Sequence, residues 1–250
     1  MILSSRTVES RGTLGEAVRP LPREHNFGIT VSKLLTRAIS ILAVCTMDDS
    51  SRIFQEKLRL IHTRYESLLK PLIPSVLIET LILAEDRRFH NHFGLDLRAI
   101  ARAIWNSTLR GKISGGSTLE QQLARTITGH YERSLLRKLR EILLASLIDG
   151  AVPKGDVPGL YLSVAYFGWC MNGIEQACRR LGIECSSMTQ RQAASLVARL
   201  KYPEPEHPSP QKKKLIERRV KYLLEMCRDS TRAIGSTEVK VETNATHFDF

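Results

Sequence analysis

An apolar repeat of 3.6 residues runs through the middle of this chain and limits what it can fold into. Leu77, Ile78, Leu81 and Ile82, then Ala99, Ile100, Ala103 and Ile104, then Leu135, Leu136, Leu139, Ile142 and Leu143 each mark one face of a helix. The alternation that a half-buried strand needs is scarce, so the expected fold class is mainly α. Helix punctuation agrees. Pro74 suits a first helical turn, Asp96 precedes a helix ending near Gly111, and Thr189 with Gln192 makes a capping box for a helix through Leu200. Four prolines in "KYPEPEHPSPQ" interrupt the pattern before a basic last helix, Lys212 to Cys227.

A length of 250 residues favours one compact domain with extra chain at its ends. The first 28 residues are polar and broken by Gly12, Gly15, Pro20 and Pro22, so little order is expected there. Residues 1–50 read as a poorly ordered or interfacial segment, 51–228 as the folded domain and 229–250 as a C-terminal tail. Ile29 to Met47 is the one stretch that resembles a membrane span. Lys33 and Arg37 interrupt it, and its uncharged part, Ala38 to Met47, is half of the ~20 residues a spanning helix needs. It reads as a core or interfacial helix first, and as a weak export signal second.

Charge narrows the partners. Lys plus Arg number 37 against 26 Asp plus Glu, a net +11. Such an excess either seeks phosphate groups or serves as a solvated face. No nucleic-acid module or aromatic interleaving accompanies it, which argues against nucleic acid. The five cysteines have neither paired ligand spacing nor the density of a disulfide scaffold, and buried thiols are expected.

Three stretches could carry chemistry. "LAEDRRFHNHFG" sets Glu85 and Asp86 at the end of an apolar helix, where desolvation raises a carboxylate's pKa and makes a better general base. The plain alternative is a pair of exposed acids bridged to Arg87 and Arg88. His90 and His92 raise the thought of a metal, but no third ligand stands at recognisable spacing and no metal residue is assigned. "GKISGGSTLEQQLAR" puts a Gly-Gly turn before Ser117, whose S-x-x-E relation to Glu120 would cap the next helix. Thr118, Gln121, Gln122 and Arg125 then offer donors on its first turns. In "SLLRKLREILLASLIDG", Arg137 and Lys138 lie four and three residues before Glu141, so the three heads can meet on one helix side. A solvated charged face is the plain alternative there.

Taken in this order, the three stretches resemble the peptidoglycan glycosyltransferases, the transglycosylase family of class A penicillin-binding proteins and monofunctional cell-wall polymerases. The family's E-D-x-x-F-x-x-H-x-G stands here as Glu85-Asp86 through Phe89, His92 and Gly94. Its G-G-S-T-x-x-Q-Q stands as Gly115 to Thr118 with Gln121 and Gln122, and its R-K-x-x-E as Arg137-Lys138 with Glu141. "YFGWCMNGIEQA" and "ERRVKYLLEM" are weaker echoes of two further motifs.

The resemblance implies a lysozyme-like, two-lobed helical domain with a central cleft. It implies polymerisation of lipid II, the chain passing from undecaprenyl pyrophosphate to the 4-hydroxyl of an acceptor sugar with inversion. Glu85 matches the general base and Glu141 the second essential acid. Asp86, Phe89 and His92 match positions that shape that end of the cleft. Ser117, Thr118, Gln121, Gln122 and Arg125 match the donor-side stretch, and Arg137 and Lys138 the cations that steady the pyrophosphate. No cofactor is required, although Mg²⁺ or Mn²⁺ could accompany the pyrophosphate. The partners implied are lipid II, the growing glycan, an anionic membrane surface and cell-wall synthesis proteins, at the periplasmic face of a bacterial inner membrane.

This chain departs from the pattern in places. Where the family reads I-L-E-x-Y-L-N, Val157 to Ser163 lose the acid and the amide, Cys170 replaces a glycine, and Thr126 stands for an asparagine. A catalytically impaired relative that binds lipid II or glycan, and a lysozyme-like hydrolase, are therefore the alternatives. The S-x-x-K of Ser209 to Lys212 sits in the proline loop and reads as accidental.

Overall fold

Burial of the periodic faces sorts the chain into helices α1 (33–41), α2 (Asp48–Arg64), α3 (Ser75–Glu85), α4 (Leu119–Thr128), α5 (Leu135–Ala151), α6 (Val157–Val164), α7 (Ile174–Leu181), α8 (Gln190–Lys201) and α9 (Pro210–Ala245). The computed structural model describes residues 33–41, 48–96, 98, 102, 105, 116–132 and 134–245, with 48, 135 and 233–245 by backbone alone. The reading of residues 1–28, and the periodic positions between Ala99 and Ile104, lie outside that set. Of the helix expected after Asp96, the described part includes its cap, where Asp96 Oδ1 accepts the Arg98 N–H at 3.0 Å.

Helix α4 is the hub, with α5 and α6 packed against it, while α3 rests on α8 and α8 on α9. Leu119, Leu123 and Ala124 of α4 are fully buried among Leu144 and Ile148 of α5 and Leu160 and Leu162 of α6. Ala193, Ala194 and Ala198 make α8 thin enough for Ile216, Val220 and Leu223 of α9 to close on the same core. The expected capping box is present at Thr189 and Gln192. Pro74 is the cap of α3 rather than its first turn, its carbonyl accepting from Leu77 and Ile78.

Other expectations change. Thr118, not Ser117, caps α4, its hydroxyl accepting the Gln121 N–H at 3.3 Å, and Gly129 ends the helix in a left-handed C-cap. The last helix runs past Cys227 to Ala245, passing through Gly235 without a break, and no proline follows Pro210 to stop it. Ser209 accepts the Lys212 N–H at 3.2 Å, so the S-x-x-K is a helix cap. Helix α1 is not a core helix: Leu34, Leu35 and Ile41 face outward. It is attached by polar contacts, Thr36 Oγ1 to the Phe93 carbonyl and Ser40 Oγ to the Ser146 carbonyl at 2.8 Å. No single described helix is long and apolar enough to cross a membrane.

The cysteines are not all buried thiols. Cys178 and Cys185 form a disulfide, because left-handed Gly182 caps α7 and folds the chain back, with the Ile183 N–H on the Cys178 carbonyl. Cys170 is exposed and Cys227 is partly buried, both as free thiols, and Cys45 lies outside the described residues.

Two departures from the family pattern acquire a physical meaning. Strands β1 (Tyr166–Gly168) and β2 (Met171–Asn172) form a small antiparallel hairpin whose turn carries Cys170 at φ 53°. That is a left-handed conformation natural to the glycine which the pattern expects there. At Gly159, on α6, an added Cβ would lie 2.3 Å from the Tyr65 hydroxyl and 2.7 Å from its ring. Tyr65, in a π-helical turn that extends α2 (Tyr65–Leu69), is buried and fills the space the missing acid would need. The small residue and the large one complement each other.

Cys170→Gly should therefore stabilise the protein, by about 1 kcal/mol from relief of the left-handed residue. The expected reading is a higher urea midpoint at unchanged slope.

Candidate active site

Glu85 and Asp86 are adjacent in sequence and serve different surroundings because α3 ends between them. The Asp86 N–H still bonds to the Ile82 carbonyl at 2.9 Å, but its backbone, at φ −150° and ψ 71°, has left the helix. Glu85 consequently stays on the cleft side. Asp86 turns inward, its carboxylate 3.0 Å from His92 Nε2 and accepting the Leu119 N–H of α4 at 3.2 Å. Local pairing with the two arginines does not occur: Arg87 reaches the Leu83 carbonyl and Met226 sulfur, and Arg88 pairs with Asp96.

The cleft has a volume of about 570 Å³ and is lined by Glu85, Asp86, Arg88, Asp96, Arg102, Ser117 and Thr118, among others. Burial pushes the Glu85 carboxyl above the usual carboxylate range, against the opposing charges of Arg219 and Lys201 and hydrogen bonds from Gln122 and Arg219. Arg219 of α9 lies 3.5 Å from Glu85 Oε1. Gln122 also accepts the Tyr161 hydroxyl at 3.2 Å, which ties Glu85 to α6. Burial, with Glu85 nearby, pushes the Tyr161 phenol up and keeps it a donor.

Glu141 is 3% exposed, so the solvated-face reading of α5 fails. Arg125 reaches it from α4 through Nε at 2.6 Å and a second nitrogen at 3.2 Å. Arg137 bonds to the same Oε1, and Lys138 Nζ lies 3.4 Å from Oε2. Burial alone would raise this carboxyl, but the three cations, Arg125 foremost, hold it below the usual range. Lys138 is lowered by its own burial, despite Glu141. Its ammonium also donates to Ser117 Oγ at 2.8 Å and to Gln121. Ser117 lines the same cleft as Glu85, so the cationic cluster stands one hydrogen bond from that wall.

The remaining expected residues sort by burial. Thr118 is buried, capping α4 and donating to the Gly94 carbonyl at 2.9 Å. Phe89 and His92 lie beneath the cleft wall, edge to face at 6.3 Å. Sequence reasoning missed Arg219, Lys201 and Tyr161 as neighbours of Glu85. Only the echo around "ERRVKYLLEM" pointed toward the first of them. It also missed Glu120, fully buried and bound by Lys154 from beyond α5. With Asp86 and His92 it makes a group close enough to hold a cation.

This helical cleft, with half-buried Glu85 in its wall and a cation cluster reached through Ser117, has relatives. Residues 55–227 match the transglycosylase family model, and the chain belongs to that family, whose enzymes are peptidoglycan glycosyltransferases. Among similar proteins, penicillin-binding protein 1F of Bacillus subtilis is 35% identical over 133 residues, 52% of this chain and 19% of the relative. Penicillin-binding protein 1A of Aquifex aeolicus is 36% identical over 149 residues, 59% of this chain and 20% of the relative. That of Neisseria flavescens is 34% identical over 146 residues, 57% of this chain and 18% of the relative. The chain thus spans about a fifth of the length of these relatives.

Glu141→Gln removes the one counter-charge shared by Arg125, Arg137 and Lys138 while keeping its volume. A stability loss of about 3 kcal/mol is expected, the low end for a broken buried pair because the cations partly reach solvent. Chemical denaturation checks it.

Proposed function

We propose that this domain polymerises lipid II. The acceptor's 4-hydroxyl attacks the anomeric carbon of a glycan chain held on undecaprenyl pyrophosphate. The new glycosidic bond forms as the bond to the pyrophosphate breaks, with inversion. Glu85 takes the hydroxyl proton, and the negative charge that grows on the leaving pyrophosphate falls near Lys138, Arg125 and Arg137. The single observation that carries this reading is that the wall holding Glu85, a carboxylate of raised proton affinity, is one hydrogen bond, Lys138 to Ser117, from a preorganised cation cluster. Glu141 acts through those cations, holding their heads in place, with no lone pair left over for the substrate.

The setting follows from the same reading. Outward Leu34, Leu35 and Ile41 beside Lys33 and Arg37 on α1, and exposed Leu136 and Leu139 beside the cations of α5, suit the anionic surface of a bilayer carrying the lipid-linked substrate. In this reading the domain works at the periplasmic face of the inner membrane, among other cell-wall synthesis proteins. A Mg²⁺ or Mn²⁺ ion, where one takes part, accompanies the pyrophosphate of the substrate.

Glu85→Gln should abolish strand formation from labelled lipid II while the circular dichroism spectrum stays that of the parent. Strands at the parent's rate would refute the assignment. Release of fragments from finished peptidoglycan without any polymer would support the hydrolase instead, and tight lipid II binding without turnover the impaired relative.

The pH profile carries a sign. A base must be deprotonated, so activity is lost as pH falls through the pKa of Glu85, which burial sets above the ordinary ~4.3 of a glutamate. Arg219→Met removes a cation that favours the charged form, and the acid limb of kcat/KM should move to higher pH. A limb that stays in place would separate Arg219 from the base.

A further inference from the structure

Beneath the cleft wall lies a second set of charged groups that the proposed chemistry does not use. Asp86 comes from the end of α3, His92 from the loop after it and Glu120 from the first turn of α4, with exposures of 8%, 2% and 0%. One ligand atom from each lies within 4.8 Å of the other two. His92 Nε2 is hydrogen-bonded to Asp86 Oδ2 at 3.0 Å, and an ion entering between them would take the place of that proton.

One buried ligand atom of this set, Glu120 Oε2, has no hydrogen-bond partner. Orphaned buried polar atoms are costly, and a pair of buried carboxylates is more so without matching positive charge. One cation is present. Lys154 Nζ bonds Glu120 Oε1 and sits 4.1 Å above the centre of the Phe89 ring. With a neutral imidazole, two carboxylates against one ammonium leave one negative charge, and Asp149 adds to the same field.

We infer that Asp86, His92 and Glu120 form a buried binding site for a divalent cation of the zinc class. One imidazole with two carboxylates suits Zn²⁺ best and Mn²⁺ next, whereas Mg²⁺ prefers oxygen ligands and retains its waters. The ion ties the end of α3 to the start of α4, joining the segment that carries Glu85 to the helix that carries Gln122. Lys154 is its built-in competitor. The lysine side chain is 23% exposed, so its ammonium can swing to solvent when the ion enters. The other group of this kind, His62, Glu66 and Asp156, differs: Glu66 is exposed, and Lys70 already lies 2.8 Å from Asp156.

The test reads metal content and not turnover, so it stands apart from the proposed reaction. The whole chain is stripped with chelator, titrated with ZnCl₂ or MnCl₂, dialysed and assayed for bound metal by mass spectrometry, with thermal melting alongside. One Zn²⁺ per chain is expected, with weaker Mn²⁺ binding and a raised Tm. Glu120→Gln, nearly isosteric, should weaken Zn²⁺ at least about tenfold. Lys154→Met keeps all three ligands and removes the competitor, so Zn²⁺ should bind several-fold more tightly. Absence of retained Zn²⁺, or Zn²⁺ held equally well by Glu120→Gln, overturns the site. Should Glu120→Gln fail to fold, Lys154→Met decides alone, and unchanged affinity there overturns it as well.

Discussion

Carboxylates taken out of water need a partner, and meeting that need organises the molecule around α4. Three acids are buried on or beside this helix, and each is met from a different part of the chain. Asp86 takes His92 and the first amide of α4, Glu120 takes Lys154, and Glu141 takes Arg125, Arg137 and Lys138. Such pairs add little net stability compared with an apolar core of the same volume. They do penalise wrong arrangements, because a carboxylate stranded without its cation is several kcal/mol worse off. The charges thereby fix how α3, α5 and the loop before α6 sit on the hub, while Leu119, Leu123 and Ile148 supply the adhesion.

The reactive arrangement follows from that packing. A helix that stops between two acids sends one outward and the other into the core, so a dipeptide yields both the carboxylate proposed as the base and a brace for the next helix. That carboxylate gains its proton affinity from burial. It stays partly ionisable because α9 brings Arg219 and α8 ends on Lys201. Behind Ser117, three cations are held together by a single carboxylate. Mutual repulsion would scatter them if that carboxylate were neutral.

Much of this was legible in the amino-acid sequence. The 3.6 repeat announced a helical chain, and R-K-x-x-E announced heads that meet on one side of a helix. The apolar run before Glu85 announced a desolvated acid. What escaped were relations without local spacing. Glu120 and Lys154 are 34 residues apart, Arg219 lies far beyond Glu85 in the chain, and the fellow of Cys178 is found only once a left-handed glycine turns the chain around. Burial also decided cases that pattern left open. The same charge run could have been a wet helix face, and only the exclusion of Glu141 from solvent made it a clamp. The cap of α4 moved by one residue because a serine and a threonine stand side by side, and Lys138 claims the serine.

The contact between Tyr65 and the bare backbone of Gly159 reaches beyond packing. A phenol ring occupies ground that any side chain at 159 would contest, so neither position is free to drift by itself. Restoring an acid to α6 requires the phenol ring to give way, so a change at one site has to be met at the other. A loss that looks like decay in the linear motif is, in three dimensions, a trade between neighbours.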